Sequence, residues 1–573
     1  MSSICHNAIL SLLKNFLLHY NSFIIYLKLR RIWEKILSIK NRIKNSRILR
    51  RQHISEATLI IAALTFFSKL IGYLREALVA NYFGATAQTD AFVIAMLIPS
   101  MVFGLIAAGG LQSIIIPVYT EKKKINPDKA RIFINQVFFI TFILLAILSV
   151  FIFVFPEFFI KLVAYGFEGQ RLTLATKFIR YLIVLGFLTA FTGSLTGLFQ
   201  TEKQFLYPAL ISVTGNMLIP LSLVLLTNRI GINSWTIGEI SSASFTFLAL
   251  FLFMFIKRGF FKNFALKNIE WKEMEHFGKL LLPIMFVSGL SFINQIVDKS
   301  VASSLSAGSI AILHWAQMVY ILPVSILSTS LATAIYPTFS SLAVEKDFSG
   351  YAETFRKTIS ILAYTMIPIS IIFIFLSEPI VKILFERGAF TTNATNATAF
   401  AISMYSLGLF IYSANDIMTR IFFSFKDTKT PFYRSLVTVG LNIVGNITLS
   451  KILGTGGIAL STSISSTIGF FMYVHMLRKR NYVKGLSYRS VIKEISKILI
   501  ASISVVILSY VFKSYIISAK GFFNTIGRFI IAFIPITATY ILLSFILRLE
   551  GFKTLSTYAK NFTIKIKNRK NLK

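Results

Sequence analysis

Cysteine is nearly absent: Cys5 stands alone in 573 residues, which excludes an intramolecular disulfide framework and a cysteine zinc cluster. Charge is scarce as well. Asp, Glu, Lys and Arg make up 14% of the chain, against about 25% in a soluble protein. Acids are the scarcer sign, 23 against 59 basic residues, for a formal net charge of +36. That surplus does not mark a nucleic-acid binder, because the basic residues sit between apolar segments, as the positive-inside rule requires. No Walker-type glycine-rich loop occurs, so this chain does not drive transport by hydrolysing ATP. Strictly alternating apolar segments are also missing, which argues against a transmembrane barrel.

What is present is apolar length. Hydrophobic residues make up 55% of the chain, and continuous apolar runs of about twenty, enough to cross a bilayer, recur throughout. The fold class expected is an all-α polytopic membrane protein with about 14 transmembrane helices between residues 57 and 547. Alternate loops are strongly basic, for example Glu121-Lys122-Lys123-Lys124, Lys426 to Arg434 and Leu477-Arg478-Lys479-Arg480, whereas Gly84 to Gln88 and Ser304 to Gly308 are short and uncharged. The basic set, and with it both termini, is therefore expected inside.

The chain divides into a basic N-terminal extension (1–55), a first six-span lobe (56–258), a second (275–480), two C-terminal spans (488–548) and a basic cytoplasmic tail (549–573). The extension carries eleven Lys or Arg and one acid, Glu34. It reads either as an interfacial amphipathic segment held by anionic lipid or as a poorly ordered extension. The two lobes rest on a weak internal repeat at an offset of 220 residues. Ser68 matches Ser288, Leu70 Leu290, Ala87 Ala307, Ala91 Ala311, Ile115 Ile335 and Pro117 Pro337. Both copies start on the same side, which makes the repeat parallel. In transporters built this way the substrate site lies between lobes that rock about it.

Charges inside the spans are the candidate functional residues. One ionisable group at the bilayer centre costs roughly 2.5–3.5 kcal/mol on insertion scales, so such groups face a cavity or a partner. On the first span Lys69, Gly72 and Glu76 share one face at spacings of three and four, with Ser68 and Arg75 on the stripe beside it. Internal pairing of Arg75 and Glu76 with neighbouring helices is the alternative to a cavity role. On the seventh span Asn294, Gln295, Asp298 and Lys299 continue a polar stripe from Ser291. Asp298 and Lys299 read either as a structural pair or as cavity residues. Asp90 reads as an N-cap of its own helix or as a cavity residue. Asp416 and Arg420 have the spacing of a pair within one helix. Glu239 and Arg180 stand without a partner that the sequence can name.

Several motifs keep one register. They are Ser68-Lys-Leu-Ile-Gly-Tyr-Leu-Arg75-Glu76, then Phe83-Gly84-Ala85, Thr89-Asp90-Ala91-Phe92 and Ile98-Pro99. Further along stand Gln295-Ile-Val-Asp298, Tyr336-Pro337-Thr338, Leu384-Phe385-Glu386-Arg387-Gly388-Ala389-Phe390-Thr391, Lys426-Asp427-Thr428-Lys429-Thr430-Pro431 and Leu453-Gly454-Thr-Gly456-Gly457. Over about residues 56–480 they resemble the MurJ/MviN lipid II flippases of the MOP exporter superfamily. The resemblance implies a V-shaped bundle of fourteen helices, MATE-like in plan, with a cationic central cavity. It maps the family's important positions in the first two spans onto Lys69, Arg75, Glu76 and Asp90. Well-studied members carry an arginine pair after the proline of span two, where this chain has Phe103 and Gly104, and then a glutamate, here Ala108. An Asp-Arg pair in span eight is Gln317-Met318 here.

The function expected is translocation of an undecaprenyl-pyrophosphate-linked cell-wall precursor, lipid II, from inner to outer leaflet by alternating access, with no covalent chemistry and so no enzyme activity. The substrate-binding residues expected are Lys69, Arg75, Glu76, Asp90, Asp298 and Lys299. No cofactor or metal is expected; the driving force is the membrane potential or coupling to Na+ or H+. The expected setting is a monomer in the bacterial cytoplasmic membrane, among anionic lipids. Alternatives are a flippase for another lipid-linked glycan, a MATE-like cation-coupled exporter using Asp90, Asp298 and Glu76, and a non-transporting scaffold.

Overall fold

A computed structural model of the chain describes residues 54–105, 112–202, 204–258, 260, 271–483, 485–519 and 521–557. Residues 1–53 of the expected extension, Ala108, and the tail from residue 558 lie outside the described residues. Every described element is helical. The first half holds α1 (Ile54–Phe83), α2 (Ala87–Gly104), α3 (Gln112–Ile125), α4 (Pro127–Val154), the short α5 (Pro156–Val163), α6 (Gly169–Thr201), α7 (Leu206–Asn216), α8 (Leu218–Ile230) and α9 (Asn233–Arg258). The second half holds α10 (Trp271–Ser303), α11 (Ser309–Pro323), α12 (Thr329–Glu345), α13 (Phe348–Phe375), the short α14 (Ser377–Leu384), α15 (Thr392–Ser406), α16 (Leu409–Ser424), α17 (Lys429–Leu453) and α18 (Thr455–Arg480). The chain closes with α19 (Tyr488–Ile517) and α20 (Phe522–Ile546).

By length and composition, eleven of the described helices or helix runs can cross a membrane, and twelve if α15 and α16, bent by 46°, form one span. The expected fourteen is not reached by that measure. The other two helices read as spans from the sequence are α1 and α10, 30 and 33 residues long, which carry Lys69, Arg75, Glu76, Asp298 and Lys299.

Helix starts follow from local chemistry. The Thr86 hydroxyl accepts from the Thr89 amide at the start of α2. Asn126 accepts from the Asp128 and Lys129 amides, with Pro127 in the first turn of α4. Between α11 and α12 the helix widens into a single π turn at Val324–Ser328, directly after Pro323. A proline cannot donate to the preceding turn, and such turns mark functional sites often. Here the widened turn carries Ser325 and Ser328, and Ser328 donates to the Ser413 carbonyl at 3.1 Å.

Broad outward faces carry large exposed apolar side chains. Ile147, Phe151 and Val154 on α4 and Ile503, Ile507 and Val511 on α19 are all exposed. A helix can present such a face to lipid, which is as apolar as the side chains themselves. Inside, one apolar core runs through both halves. A second joins α13 to α19 and α20 through Ala363, Ile367, Ile498, Val505 and Ile536. Within it the Tyr540 hydroxyl donates to the Tyr364 carbonyl at 2.8 Å.

The Lys426-to-Pro431 turn is held by one carboxylate. Asp427 accepts from the Thr430 amide at 3.0 Å and the Thr430 hydroxyl at 2.8 Å. Burial alone would push its pKa up, but these bonds and the Tyr482 hydroxyl hold it below the ordinary aspartate value. A depressed native pKa means that the carboxylate stabilises the fold above about pH 4, and that this is lost as pH falls through the native value. Asp427→Ala should lower stability by about 1 kcal/mol at neutral pH. In thermal unfolding of the purified protein, the gap between wild type and variant should close on acidification below that range. A gap independent of pH would contradict the assignment.

Candidate functional site

The charged face of α1 meets α11 and the π turn as an antiparallel ladder. Lys69 Nζ donates to Ser325 Oγ at 2.8 Å. One turn on, the Tyr73 hydroxyl donates to the Met318 carbonyl at 3.2 Å. The next turn brings Glu76, whose Oε2 accepts from Trp315 Nε1 at 3.2 Å and lies 3.3 Å from His314 Nε2. As the number rises along α1 it falls along α11, so the two helices run antiparallel. Glu76 is 1% exposed. Its other oxygen, Oε1, accepts from Arg75 Nη2 at 2.7 Å, and Arg75 also donates to Glu239 of α9 at 3.2 Å. Trp235 Nε1 completes the cluster on Glu239 at 3.0 Å. Arg75 therefore pairs within the first half, while Glu76 ties both halves together.

Beyond Glu76 the halves close on each other at the end carrying the uncharged loops. Asp90 is fully buried. Its Oδ2 accepts from the Gly308 amide at 2.6 Å and its Oδ1 from the Ala311 amide at 2.8 Å. Asp90 is a cap, then, but of α11 in the other half; Thr86 caps its own helix. Gly308 has φ +93° and lies so close to the Ala85 carbonyl that any side chain would collide with it. Ala389 donates to the Asn81 carbonyl at 2.8 Å. Arg171 donates to the Ser303 and Leu305 carbonyls at 3.0 and 3.2 Å.

Behind α11 the second half lines a half-open cavity of about 750 Å³. Its walls come from α10, α11, α12, the π turn and α15 to α18, and include Asp298, His314, Gln317, Met318, Asp416 and Arg434. Asp298 accepts from Asn446 Nδ2 at 2.8 Å and more weakly from Gln317 Nε2 at 3.4 Å. Lys299, its neighbour in sequence, points elsewhere and approaches the Ile310 carbonyl at 3.4 Å. Asp416 lies 3.8 Å from Arg420, the pairing that the spacing predicts.

Of the six expected site residues, Asp298 lines this cavity. Lys69 reaches its edge through Ser325, which is part of the wall. Glu76 touches it through His314. Arg75, Asp90 and Lys299 are placed in the contacts between helices described above. Asn442, Asn446, His314 and Arg434 were not singled out from the sequence. Asn442 and Asn446 carried a signal, since two amides four residues apart on an apolar helix need partners. Arg434 was grouped with the basic loop before it. Gln317 and Met318 face the cavity, whereas Phe103 is buried against Gly186.

This geometry, a polytopic helical bundle whose halves meet through a charged ladder beside a half-open cavity, is that of a membrane transporter of the MOP type. Comparison narrows it. The family described as lipid II flippase MurJ matches residues 79–547. A probable lipid II flippase MurJ of Borreliella burgdorferi is 27% identical over 432 residues, covering 74% of this chain and 83% of that protein. The lipid II flippase MurJ of Thermosipho africanus is 30% identical over 416 residues, covering 72% and 83%. A solved structure titled "Lipid II flippase MurJ, inward closed conformation" superposes with a TM-score of 0.69 at 26% identity, covering 86% of this chain and 99% of that one. An inward-facing multidrug resistance MATE transporter of the MOP superfamily shares the fold at a TM-score of 0.58 and 16% identity, covering 75% and 99%. The chain belongs to the MurJ family.

Removing Asp90 leaves two buried amides without an acceptor. Asp90→Ala should therefore cost about 2 kcal/mol or more, since each buried unpaired group costs about 1–3 kcal/mol. Asp90→Asn, which keeps an acceptor oxygen, should cost less. Differential scanning of both purified variants checks the order; a silent Asp90→Ala would show that these bonds do not hold the two halves.

Proposed function

We propose that this protein moves lipid II across the bacterial cytoplasmic membrane, from the inner to the outer leaflet. The observation that carries the reading is the family match, which runs over both halves and into α20. In this reading α1 and α10 are membrane spans too, so the chain crosses fourteen times with both termini and the basic loops in the cytoplasm. Residues 56–258 and 275–480 act as two lobes, and the monomer sits among anionic lipids that the basic loops attract.

The ladder on α1 then closes the outer end. The cargo carries a pyrophosphate, and burying such charge away from water requires cations and hydrogen-bond donors. Lys69 and Arg75 of the first lobe are such groups, and Lys69 is the more available of the two, because its partner Ser325 is neutral whereas Arg75 holds two carboxylates. Rocking of the lobes breaks the bonds of Glu76 and Asp90 to α11, opening the outer end. Two negative charges moving outward across an inside-negative membrane release about 4–5 kcal/mol per 100 mV, enough to bias such a cycle without a chemical fuel.

Two measurements test this. Depletion of the protein in its host should raise lipid II among the polyprenyl-pyrophosphate intermediates; accumulation of another lipid-linked glycan instead would change the cargo. In proteoliposomes, flipping of labelled lipid II should slow several-fold when an ionophore collapses the potential. A rate that ignores the potential would remove the electrical mechanism while leaving the cargo.

A further inference from the structure

Arg434 stands one turn inside α17, at the end next to the basic loop Lys426–Lys429. A basic residue at that depth ordinarily reaches outward, laying its stem along the helix and its charge among lipid headgroups. Arg434 turns inward. Its guanidinium lies over the Tyr473 ring of α18 at 5.1 Å and forms part of the cavity wall. Its Nε is buried and has no hydrogen-bond partner among the described residues. The carboxylates of the same cavity are engaged elsewhere, Asp298 by Asn446 and Gln317, and Asp416 by Arg420. The guanidinium reaches this position because residue 469 is a glycine: a Cβ there would lie 2.5 Å from Nε and 2.7 Å from Nη2.

A guanidinium clamped on an aromatic face keeps its N–H edge free and oriented. Its planar fork matches two oxygens of one anion, and such bonds are roughly twice as strong as neutral ones. The wall also carries Tyr412, Asn415 and Thr438; the Asn415 amide and the Thr438 hydroxyl donate to the Ser466 and Ser435 carbonyls, which leaves Arg434 as the charged donor on it. A volume of about 750 Å³ is larger than a phosphate group needs and leaves room for what is attached to it.

We infer that Arg434 forms an oxyanion site within the second half's own cavity, and that it takes phosphate oxygens of the transported head group. The cargo then has a cation on each side of the ladder: Lys69 on α1, and Arg434 behind α11. This inference rests on the flippase reading for the identity of the cargo, but the anion site itself stands on the geometry.

The test is binding of farnesyl pyrophosphate, and separately of inorganic pyrophosphate, to the full chain in detergent at low salt. Arg434→Gln should weaken both about tenfold. Arg434→Lys, which keeps the charge and loses the fork, should fall between. Gly469→Ala, which leaves the arginine but pushes the guanidinium off its seat, should also weaken both. Lys451→Gln, which removes an exposed cation at the far end of α17 and outside the cavity wall, should bind as wild type does. Equal binding by wild type and Arg434→Gln overturns the site, yet leaves the flippase reading intact. If wild type binds inorganic pyrophosphate through Arg434 but shows no affinity for the prenyl compound, the site stands and the lipid cargo falls. If wild type binds neither probe, the inference is overturned.

Discussion

Glu76 is a carboxylate removed from water in the middle of a membrane protein, and the arrangement of both halves follows from the need to surround it. An isolated buried charge is costly, so it persists only where donors converge on it. Arg75 supplies them from within the first half and Trp315 from the second, with His314 Nε2 3.3 Å away. A transporter must separate these halves in each cycle. Hydrogen bonds to charged groups are worth about 1.5–3 kcal/mol each, so Glu76 and Asp90 together make the closed end stable by several kcal/mol. Opening therefore needs either water to replace the lost donors or a cargo that binds the open form more tightly, because a ligand shifts an equilibrium only by its differential affinity.

The cavity is unequally shared. Its walls belong to the second half, and the first half contributes through Lys69 at Ser325 and Glu76 at His314. The positions where well-studied relatives carry an arginine pair in span two show why. Phe103 is fully buried against Gly186, where a phenyl ring fits and a guanidinium would lack both water and a partner. Met318 does face the cavity, with an apolar side chain. Arg434 is the arginine on that wall, brought in from a different helix. The Tyr473 ring supports it there.

The helices were legible because apolar length is written continuously along the chain, and the described helices fall where the sequence places apolar runs. The charges were legible as anomalies for the same reason. Their partners were not. Lys69 and Ser325 are 256 residues apart, Glu76 and Trp315 239, and Arg75 and Glu239 164. No periodicity within one helix reports on contacts at that range. Glu239 looked solitary, although it completes the Arg75 cluster. Arg434 looked like the end of a basic loop, since direction around a helix of mixed neighbours is set by Gly469 and Tyr473 on the next one. Asp90 was readable as a cap, but which helix it caps depends on how the halves meet.

That last point connects the repeat to the contact. At an offset of 220 residues the loop Gly84–Gln88 corresponds to Ser304–Gly308, and the start of α2 to the start of α11. The amides that Asp90 binds are 218 and 221 residues away, on either side of the 220-residue offset. The two helix starts that this offset pairs thus meet each other. Each carries the positive end of a helix dipole, and two such ends facing across a dry contact repel. One carboxylate serves both: Asp90 lies in the first turn of α2 and accepts from the first turn of α11. The repeat mate of Asp90 is Ile310. A second acid there would set two carboxylates at one junction, each disfavouring the charge of the other. The two positions that the 220-residue offset pairs are thus unequal, an acid against an isoleucine, and the single carboxylate at this junction accepts from the start of the other helix without a like charge facing it.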